Sequence, residues 1–339
     1  MTLFQFDYDL TFAVFFMNAD KTIYGRYGTR SSVEEAAKDV SISGLAETMS
    51  AALEIHKKYP KNRSSLAGKQ AIDKSYADFK TADDIPSLKG KYQSTLDYSG
   101  AAAKSCMHCH QVRDAARQVY RDAGKPIPDR LLFPNPLPDV VGLTMDPRRA
   151  ATVGDVEPGS AADLAEFTKD DELLSLNGQP IISVADVQWV LHNSDATDEL
   201  AATVRRAGRK VNLRLPLERD WRKYCDISWR VSSWPLRRMG TGGILFEAAN
   251  DAQRRAAGVG PDEMALVVKH VGQYGPHGAA MRAGFKKSDV VVSFDGQTGN
   301  MTTSQLLAYA AQNTEPGQQV PVVIVRDGNR KTMSLPMQK

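Results

Sequence analysis

The chain repeats part of its own sequence. Residues 153–179 align without gaps onto residues 271–297 at a constant offset of 118, and 12 of the 27 aligned positions are identical. Both copies predict the same elements in the same order: a short helix, a strand ending in a hairpin turn, a second helix and a β-rich strand. The turns are Asn177-Gly178 and Asp295-Gly296, and the second helices cover 184–192 and 304–311. The repeat therefore predicts two copies of one folded module.

Length and charge narrow the class of protein. The 339 residues are enough for two or three domains, and 43 Lys and Arg against 40 Asp and Glu give a net charge of +3. This balance argues against a nucleic-acid or membrane-surface partner. The longest apolar stretch, 10–17, is about half a membrane span, and three cysteines exclude a disulfide scaffold. No basic region with a cleavage site begins the sequence, so we expect any secretory signal to have been removed or to lie outside it.

The strongest short motif is Cys106-Met107-His108-Cys109-His110. Two thiols three positions apart at the start of a helix can reach the two vinyl groups of one porphyrin, and the adjacent imidazole can then bind the iron. The surrounding sequence, YSGAAAKSCMHCHQV, resembles the haem attachment site of c-type cytochromes. That resemblance implies thioether bonds at Cys106 and Cys109 and a proximal ligand at His110, with haem c as the cofactor.

Two other interpretations of this motif stay open. Without haem, Cys106, Cys109 and His110 are candidate ligands for a metal such as zinc, although no second Cys or His pair stands at zinc-finger spacing. The two cysteines are also compatible with a thiol pair that carries no cofactor.

A six-coordinate haem needs a distal ligand as well. His56 is the first candidate, because it continues the apolar face of its helix three residues after Leu53 and is expected to point inward. His270 and His277 are the second candidates.

The repeated segments GSAADLAEFTKDDELLSLNGQPI and GAAMRAGFKKSDVVVSFDGQT resemble PDZ domains of the circularly permuted bacterial type. The resemblance covers 139–217 and 240–337 and implies two β-rich modules of barrel or sandwich form. It also implies peptide capture, in which a ligand strand adds to a sheet edge beside a helix while a backbone loop holds its terminal carboxylate.

The resemblance assigns the peptide-binding residues of each module. In the first module the loop is formed by Gly142, Leu143 and Thr144, and the helix side of the groove by Val187 and Leu191. In the second module the corresponding residues are Gly243, Ile244 and Leu245 in the loop, with Leu306 and Ala310 on the helix. A long polar stretch, 247–263, follows the second loop and departs from the family pattern.

The amino-terminal sequence TFAVFFMNADKTIYGRYGT resembles the strand-turn-strand in the second half of a thioredoxin-like fold. The whole chain is therefore expected to be an α+β multidomain protein. Its segments are a truncated thioredoxin-like unit (1–60), a helical CxxCH segment (61–125), a proline-rich connector (126–138), a first PDZ-like module (139–217), a tryptophan-rich segment (218–239) and a second PDZ-like module (240–337).

These features predict a cell-envelope protein, located in the periplasm, in which a haem for electron transfer or redox sensing is joined to modules that bind protein tails. A redox partner protein is expected with this function. One alternative is a thiol- or metal-dependent oxidoreductase with PDZ docking modules, and another is a non-catalytic PDZ scaffold. No serine-protease or phosphate-loop motif occurs, which favours a protein without enzymatic activity.

Overall fold

The computed structural model describes residues 3–72, 79–92, 108–195 and 197–339. The chain divides into two compact units, each built from two separate stretches of sequence. The first unit combines Met1–Ala82 with Phe133–Cys225, and the second combines Asp83–Leu132 with Asp226–Lys339. Each unit therefore contains one copy of the repeat together with a segment that precedes both copies in the sequence.

The helices and strands are, in chain order, β1 (Val14–Met17), β2 (Ile23–Tyr27), α1 (Ile42–Lys57), α2 (His110–Asp122), α3 (Asp129–Leu132), β3 (Leu143–Met145), β4 (Val153–Val156), α4 (Ala161–Leu164), β5 (Glu172–Leu176), β6 (Gln179–Pro180), α5 (Val184–Asn193), β7 (Glu199–Arg206), β8 (Arg209–Pro216), α6 (Ser233–Thr241), β9 (Ile244–Ala248), α7 (Asp251–Ala257), β10 (Leu266–Val271), α8 (Ala279–Arg282), β11 (Val290–Phe294), α9 (Thr303–Asn313), β12 (Gln319–Arg326) and β13 (Asn329–Pro336).

The repeated module of the first unit has two small antiparallel sheets. One pairs β3 with β4, and the other has the strand order β6-β5-β7-β8. Helix α5 contributes Val187, Val190 and Leu191 to the core between them. In the same unit, β1 and β2 form a separate two-stranded sheet.

The repeated module of the second unit is a five-stranded antiparallel sheet with the order β13-β12-β11-β10-β9. One face carries the main core, which includes Leu306 and Ala310 of α9. Successive side chains of a strand point to opposite faces of the sheet. Val292 and Val325 therefore lie on the face opposite the main core, where they pack against Ala257 of α7. The polar insertion 247–263 therefore forms a helix on the face opposite α9.

The equivalent aspartates of the repeat, Asp171 and Asp289, make the same hydrogen bonds in both modules. Asp171 accepts a hydrogen bond from the backbone of Thr168 (3.0 Å) and binds Arg206, and Asp289 does the same with Lys286 (2.8 Å) and Arg326. Burial acts to raise the pKa of Asp171, but the hydrogen bonds from Arg206 and Thr168 outweigh it and leave the pKa below its ordinary value.

Helix α2 is held in the second unit by arginines. Arg113, Arg117 and Arg121 recur at four-residue spacing on one face of the helix and are all buried. The guanidinium of Arg117 donates to the backbone carbonyls of Leu131 (2.9 Å) and Ser232 (2.6 Å). These bonds supply acceptors for the buried cation.

Several expectations need correction. The modules contain open sheets rather than a closed barrel, so the fold is mixed α/β with β-rich PDZ-like modules. The thioredoxin-like amino terminus is not supported: the β1–β2 hairpin pairs with no further strand in the described part of 1–82, and β2 packs on α5 instead. Helix α2, at the end of the segment predicted to hold haem, belongs to the unit of the second module. Residues 126–138, expected to be an extended connector, contain α3.

Candidate functional site

The loop before β3 requires glycine at position 142. Gly142 ends a short 3-10 turn with a φ of 84°, and its carbonyl accepts a hydrogen bond from the backbone of Glu157 (2.9 Å). A Cβ atom at this position would lie 2.0 Å from Oγ of Ser160. Glycine is therefore needed for both the left-handed conformation and the close packing.

The corresponding loop of the second module contains two left-handed glycines. Gly242 and Gly243 follow α6 with φ values of 60° and 90°. The N–H of Gly243 donates to the carbonyl of Arg237 (2.9 Å), which closes the end of α6. A Cβ atom at Gly243 would lie 1.9 Å from the carbonyl oxygen of His277. The two glycines turn the chain directly from the helix end into β9.

The edge strand β9 presents backbone groups that β10 does not use. Gly272 donates to the carbonyl of Gly243 (3.0 Å), and Ala249 donates to the carbonyl of Ala265 (3.0 Å). Because hydrogen-bonded and non-hydrogen-bonded pairs alternate in antiparallel sheets, the N–H groups of Ile244, Phe246 and Ala248 are directed away from β10. Strand β9 is the last strand of its sheet, so these groups face the open edge.

The same register holds in the first module. Because Glu157 donates to Gly142, the next residue, Leu143, directs its N–H away from β4 and toward the edge of β3 that pairs with no other described strand. Leu143 is thus the counterpart of Ile244, and each of them follows a left-handed glycine.

The other residues assigned to the grooves differ in exposure. Val187, Leu191, Leu306 and Ala310 are fully buried in the cores of their modules. Thr144 is exposed and Leu245 is half-buried. That these residues contact a ligand stays a prediction.

A pocket of about 260 Å³ lies beside the first loop. One side is formed by Leu143 and Met145 of β3 and by Val184 at the start of α5. The other side is formed by residues of the amino-terminal segment, among them Tyr27 and Val40. The sequence offered no signal for this second wall, because nothing in 27–40 resembles a binding motif.

The structure describes only part of the predicted haem site. Cys106 lies outside the described residues, Cys109 is exposed just before α2, and Nδ1 of His110 is 3.3 Å from the carboxylate of Asp114 on the same helix. In the described ranges, no three His, Cys, Asp or Glu residues are placed to hold a metal ion.

The proposed distal ligands differ in exposure and in their contacts. His56 is exposed, and its Nδ1 lies 2.8 Å from the hydroxyl of Tyr24, so the expectation that it points inward is wrong. His270 is exposed on β10. His277 is half-buried beside the second loop, where burial and then the charge of Arg238 lower its pKa.

The family model of the PDZ domain matches residues 139–217 and 243–337, which is just over half of the chain. The chain belongs to the PDZ domain family. The left-handed glycine loops and the edge strands β3 and β9 all lie within or directly beside these matched PDZ segments.

Curated proteins similar to this PDZ chain are endoproteases. The periplasmic serine endoprotease DegP of Escherichia coli K12 is 26% identical over 155 residues, covering 46% of this chain and 28% of DegP. Probable DegP-like endoproteases of Marinomonas and Pseudomonas fluorescens are 24% and 25% identical over 194 and 178 residues, covering 57% and 52% of this chain. The chain spans only about a third of the length of these relatives, 38% and 36% in the last two cases.

Solved structures are more distant. The HtrA-type protease AlgW with a decapeptide has a TM-score of 0.26 at 15% identity, covering 41% of this chain and 48% of that one. The photosystem II D1 C-terminal processing protease has a TM-score of 0.21 at 15% identity, covering 46% of this chain and 43% of that one.

These findings correct the expected function. The interpretation of the chain as a haem protein for electron transfer is wrong, because its relatives are serine endoproteases and its matched family is a peptide-binding domain outside Cys106–His110. Whether the motif holds any cofactor stays a prediction, since Cys106 is not among the described residues. Among the helices that the structure describes, none combines the length and apolar character needed to cross a bilayer.

Proposed function

We propose that this chain binds the carboxyl-terminal tails of proteins, through an added strand on β9 of the second PDZ module. The observation that carries the proposal is the line of backbone N–H groups at Ile244, Phe246 and Ala248, which begins directly after Gly242-Gly243 and faces an open edge. Main-chain hydrogen bonds to such an edge supply affinity for an extended peptide.

The start of this edge suits a terminal carboxylate. The carbonyl of Ile244 accepts a hydrogen bond from the hydroxyl of Thr241 (3.2 Å), while its N–H is directed at the open edge. A free carboxylate placed there would accept from this N–H, and charge-assisted bonds of this kind are shorter and stronger than neutral ones. The insertion with α7 packs on the face of the sheet opposite α9.

The cellular setting belongs to the same proposal. The relatives named above are periplasmic endoproteases, which supports the periplasm or cell envelope as the location and exported proteins as the source of the tails. The chain would act by recognition, without a catalytic step of its own.

The test compares fluorescent hexapeptides that differ only in a free or an amidated carboxyl terminus. Losing a charged hydrogen-bond acceptor costs about 1.5–3 kcal/mol, so the amide should bind at least about tenfold more weakly in fluorescence anisotropy. Equal binding of both forms contradicts carboxylate capture.

A variant of β9 tests the strand-addition step. Ala248→Pro removes an N–H that faces the open edge and breaks no bond to β10, so peptide affinity should fall roughly two- to tenfold. Ala248→Val is the matched control, because it alters the same side chain and keeps the N–H. If both variants bind like the original protein, the ligand does not pair with β9.

A further inference from the structure

The amino-terminal segment 3–72 is anchored to the groove helix α5 of the first module. The carboxylate of Asp186 lies 2.6 Å from Nζ of Lys69 and accepts hydrogen bonds from the backbone of Arg26 and Ile182 (both 3.1 Å). The side chains of Lys69 and Asp186 are fully buried. An ion pair removed from water in this way needs additional hydrogen bonds, and the backbone N–H groups of Arg26 and Ile182 supply them for Asp186.

Aromatic and backbone contacts extend the same anchor. The guanidinium of Arg26 lies 3.8 Å from the ring centre of Trp189, whose Nε1 donates to the carbonyl of Gly68 (2.7 Å). Strand β2 approaches α5 so closely that a Cβ at Gly25 would lie 2.2 Å from Cδ1 of Ile182. The segment is therefore positioned on α5 by several directional contacts, and its following residues are placed beside the groove.

Those following residues form one wall of the 260 Å³ pocket. Tyr27, Thr29 and Val40 of the segment face Leu143 and Val184 of the first module across it. Oγ1 of Thr29 is shielded from solvent and has no hydrogen-bond partner in the described structure. The pocket is therefore lined jointly by the amino-terminal segment and the first module.

The pocket lining also indicates the ligand class. Apolar surface comes from both walls, including Leu137, Pro138 and Met145. The charged side chains at the pocket are already engaged: Asp39 accepts from Ser31 (2.7 Å), and Arg149 pairs with Asp170 (2.7 Å). An apolar residue therefore fits this pocket better than a charged one.

We propose that the amino-terminal segment is an integral part of the first module's ligand site, and that this composite pocket accepts the last residues of a tail ending in an apolar side chain. The proposal rests on the tail-binding function proposed above. It assigns the two modules different tasks, because β9 has an open edge for an extended strand whereas the edge of β3 faces a wall supplied by 27–40 of the same unit.

The test uses the intact chain and a defined probe, the acetylated tripeptide Ala-Ala-photoleucine with a free carboxylate. After irradiation, mass spectrometry maps the labelled residues. The expected result is label on both 27–40 and 143–145. Label confined to 244–248, or to 143–145 alone, overturns the composite site and leaves tail binding intact. Absence of label from both modules overturns the two proposals together.

Two valine variants of the same segment sharpen the test. Val40 lines the pocket, whereas Val33 is 56% exposed and lies outside it. Val40→Trp should fill the pocket and reduce labelling of 143–145 about tenfold, and Val33→Trp should leave it unchanged. Equal labelling in both variants overturns the proposal. Circular dichroism checks that each variant is folded. If Val40→Trp does not fold, the labelling pattern of the unmodified chain decides whether the composite site exists.

Discussion

Lys69→Met should destabilise the first unit strongly, because it leaves the carboxylate of Asp186 buried without its cation. The two side chains are fully buried and 2.6 Å apart, and after the substitution Asp186 keeps only its backbone donors and the nearby Arg26. Breaking a buried pair by removing one partner costs about 3–5 kcal/mol. We therefore expect the free energy of unfolding of this unit to fall by that amount.

A surface pair in the same unit provides the matched control. Arg205 and Glu172 are also 2.6 Å apart, but their side chains are 49% and 40% exposed. Glu172→Gln should therefore change stability by only about 0–1 kcal/mol, since water replaces the lost partner. The two substitutions break ion pairs of equal length, so the difference between them isolates the effect of burial.

The measurement is urea unfolding followed by tryptophan fluorescence, with linear extrapolation to water. Hydrogen exchange at β2 and α5 assigns the change to the first unit. Adding Asp186→Asn to Lys69→Met should recover roughly 1–3 kcal/mol, because the amide is neutral and one oxygen still accepts from the backbone. If Lys69→Met costs no more than Glu172→Gln, the pair is not the anchor that the contacts indicate.

Two further outcomes follow from the titrating groups. Burial lowers the pKa of Lys69 from 10.5 to about 8, so the unfolded chain holds this proton more tightly, and the Lys69-dependent part of the stability should rise as the pH increases from 8 to 10.5. The measurement is the difference in free energy of unfolding between the original protein and Lys69→Met at several pH values from 8 to 10.5. A difference that does not change with pH would contradict the lowered pKa of Lys69. Asp171→Asn should destabilise the first unit by about 1–3 kcal/mol in urea unfolding, because a fully buried carboxylate loses its charge-assisted bond to Arg206, and Asp289→Asn should affect the second unit similarly. Unchanged unfolding midpoints would show that these identical aspartates of the repeat are not structural.

The repeated modules could be predicted because their signals are local. Asn177 and Asp295 have φ values of 48° and 52°, as a hairpin turn of Asn-Gly or Asp-Gly type requires. Asp171 and Asp289 bind groups a few residues away in their own modules. Such chemistry depends on neighbours in the sequence, so the family and the glycine loops were accessible before the structure.

In helix α1 the buried face is formed by small residues, whereas the large apolar side chains were expected to be buried. The face with Leu53 and His56 was expected to be inside, but Leu53 is 52% exposed, and the buried residues of the helix are Gly44, Thr48 and Ala52. A Cβ at Gly44 would lie 2.2 Å from the carbonyl oxygen of Pro147. Small residues lie inside because another backbone approaches the helix closely, and hydrophobicity does not encode that approach.

The burial of the arginines of α2 could not be predicted from the sequence either, because charged side chains are normally exposed. A cation at each of three successive turns predicts a solvent-facing stripe, yet Arg113, Arg117 and Arg121 are buried. Their environment is built by carbonyls distant in sequence, such as those of Ser232 and, for Arg121, Thr314 and Gln338. Such carbonyls have no sequence signature, because every residue carries one.

The CxxCH motif and the β9 edge differ in the kind of inference they allow. The motif is rare and its side chains suit a haem, but the described histidines proposed as ligands make other contacts: His56 contacts Tyr24, and His110 contacts Asp114. The β9 edge consists of backbone groups that any residues could supply, yet their direction follows from hydrogen bonds to the β10 side at both ends of the strand. A binding function needs several groups aimed at one ligand, so the convergent but ordinary groups of β9 support it better than an isolated unusual motif does.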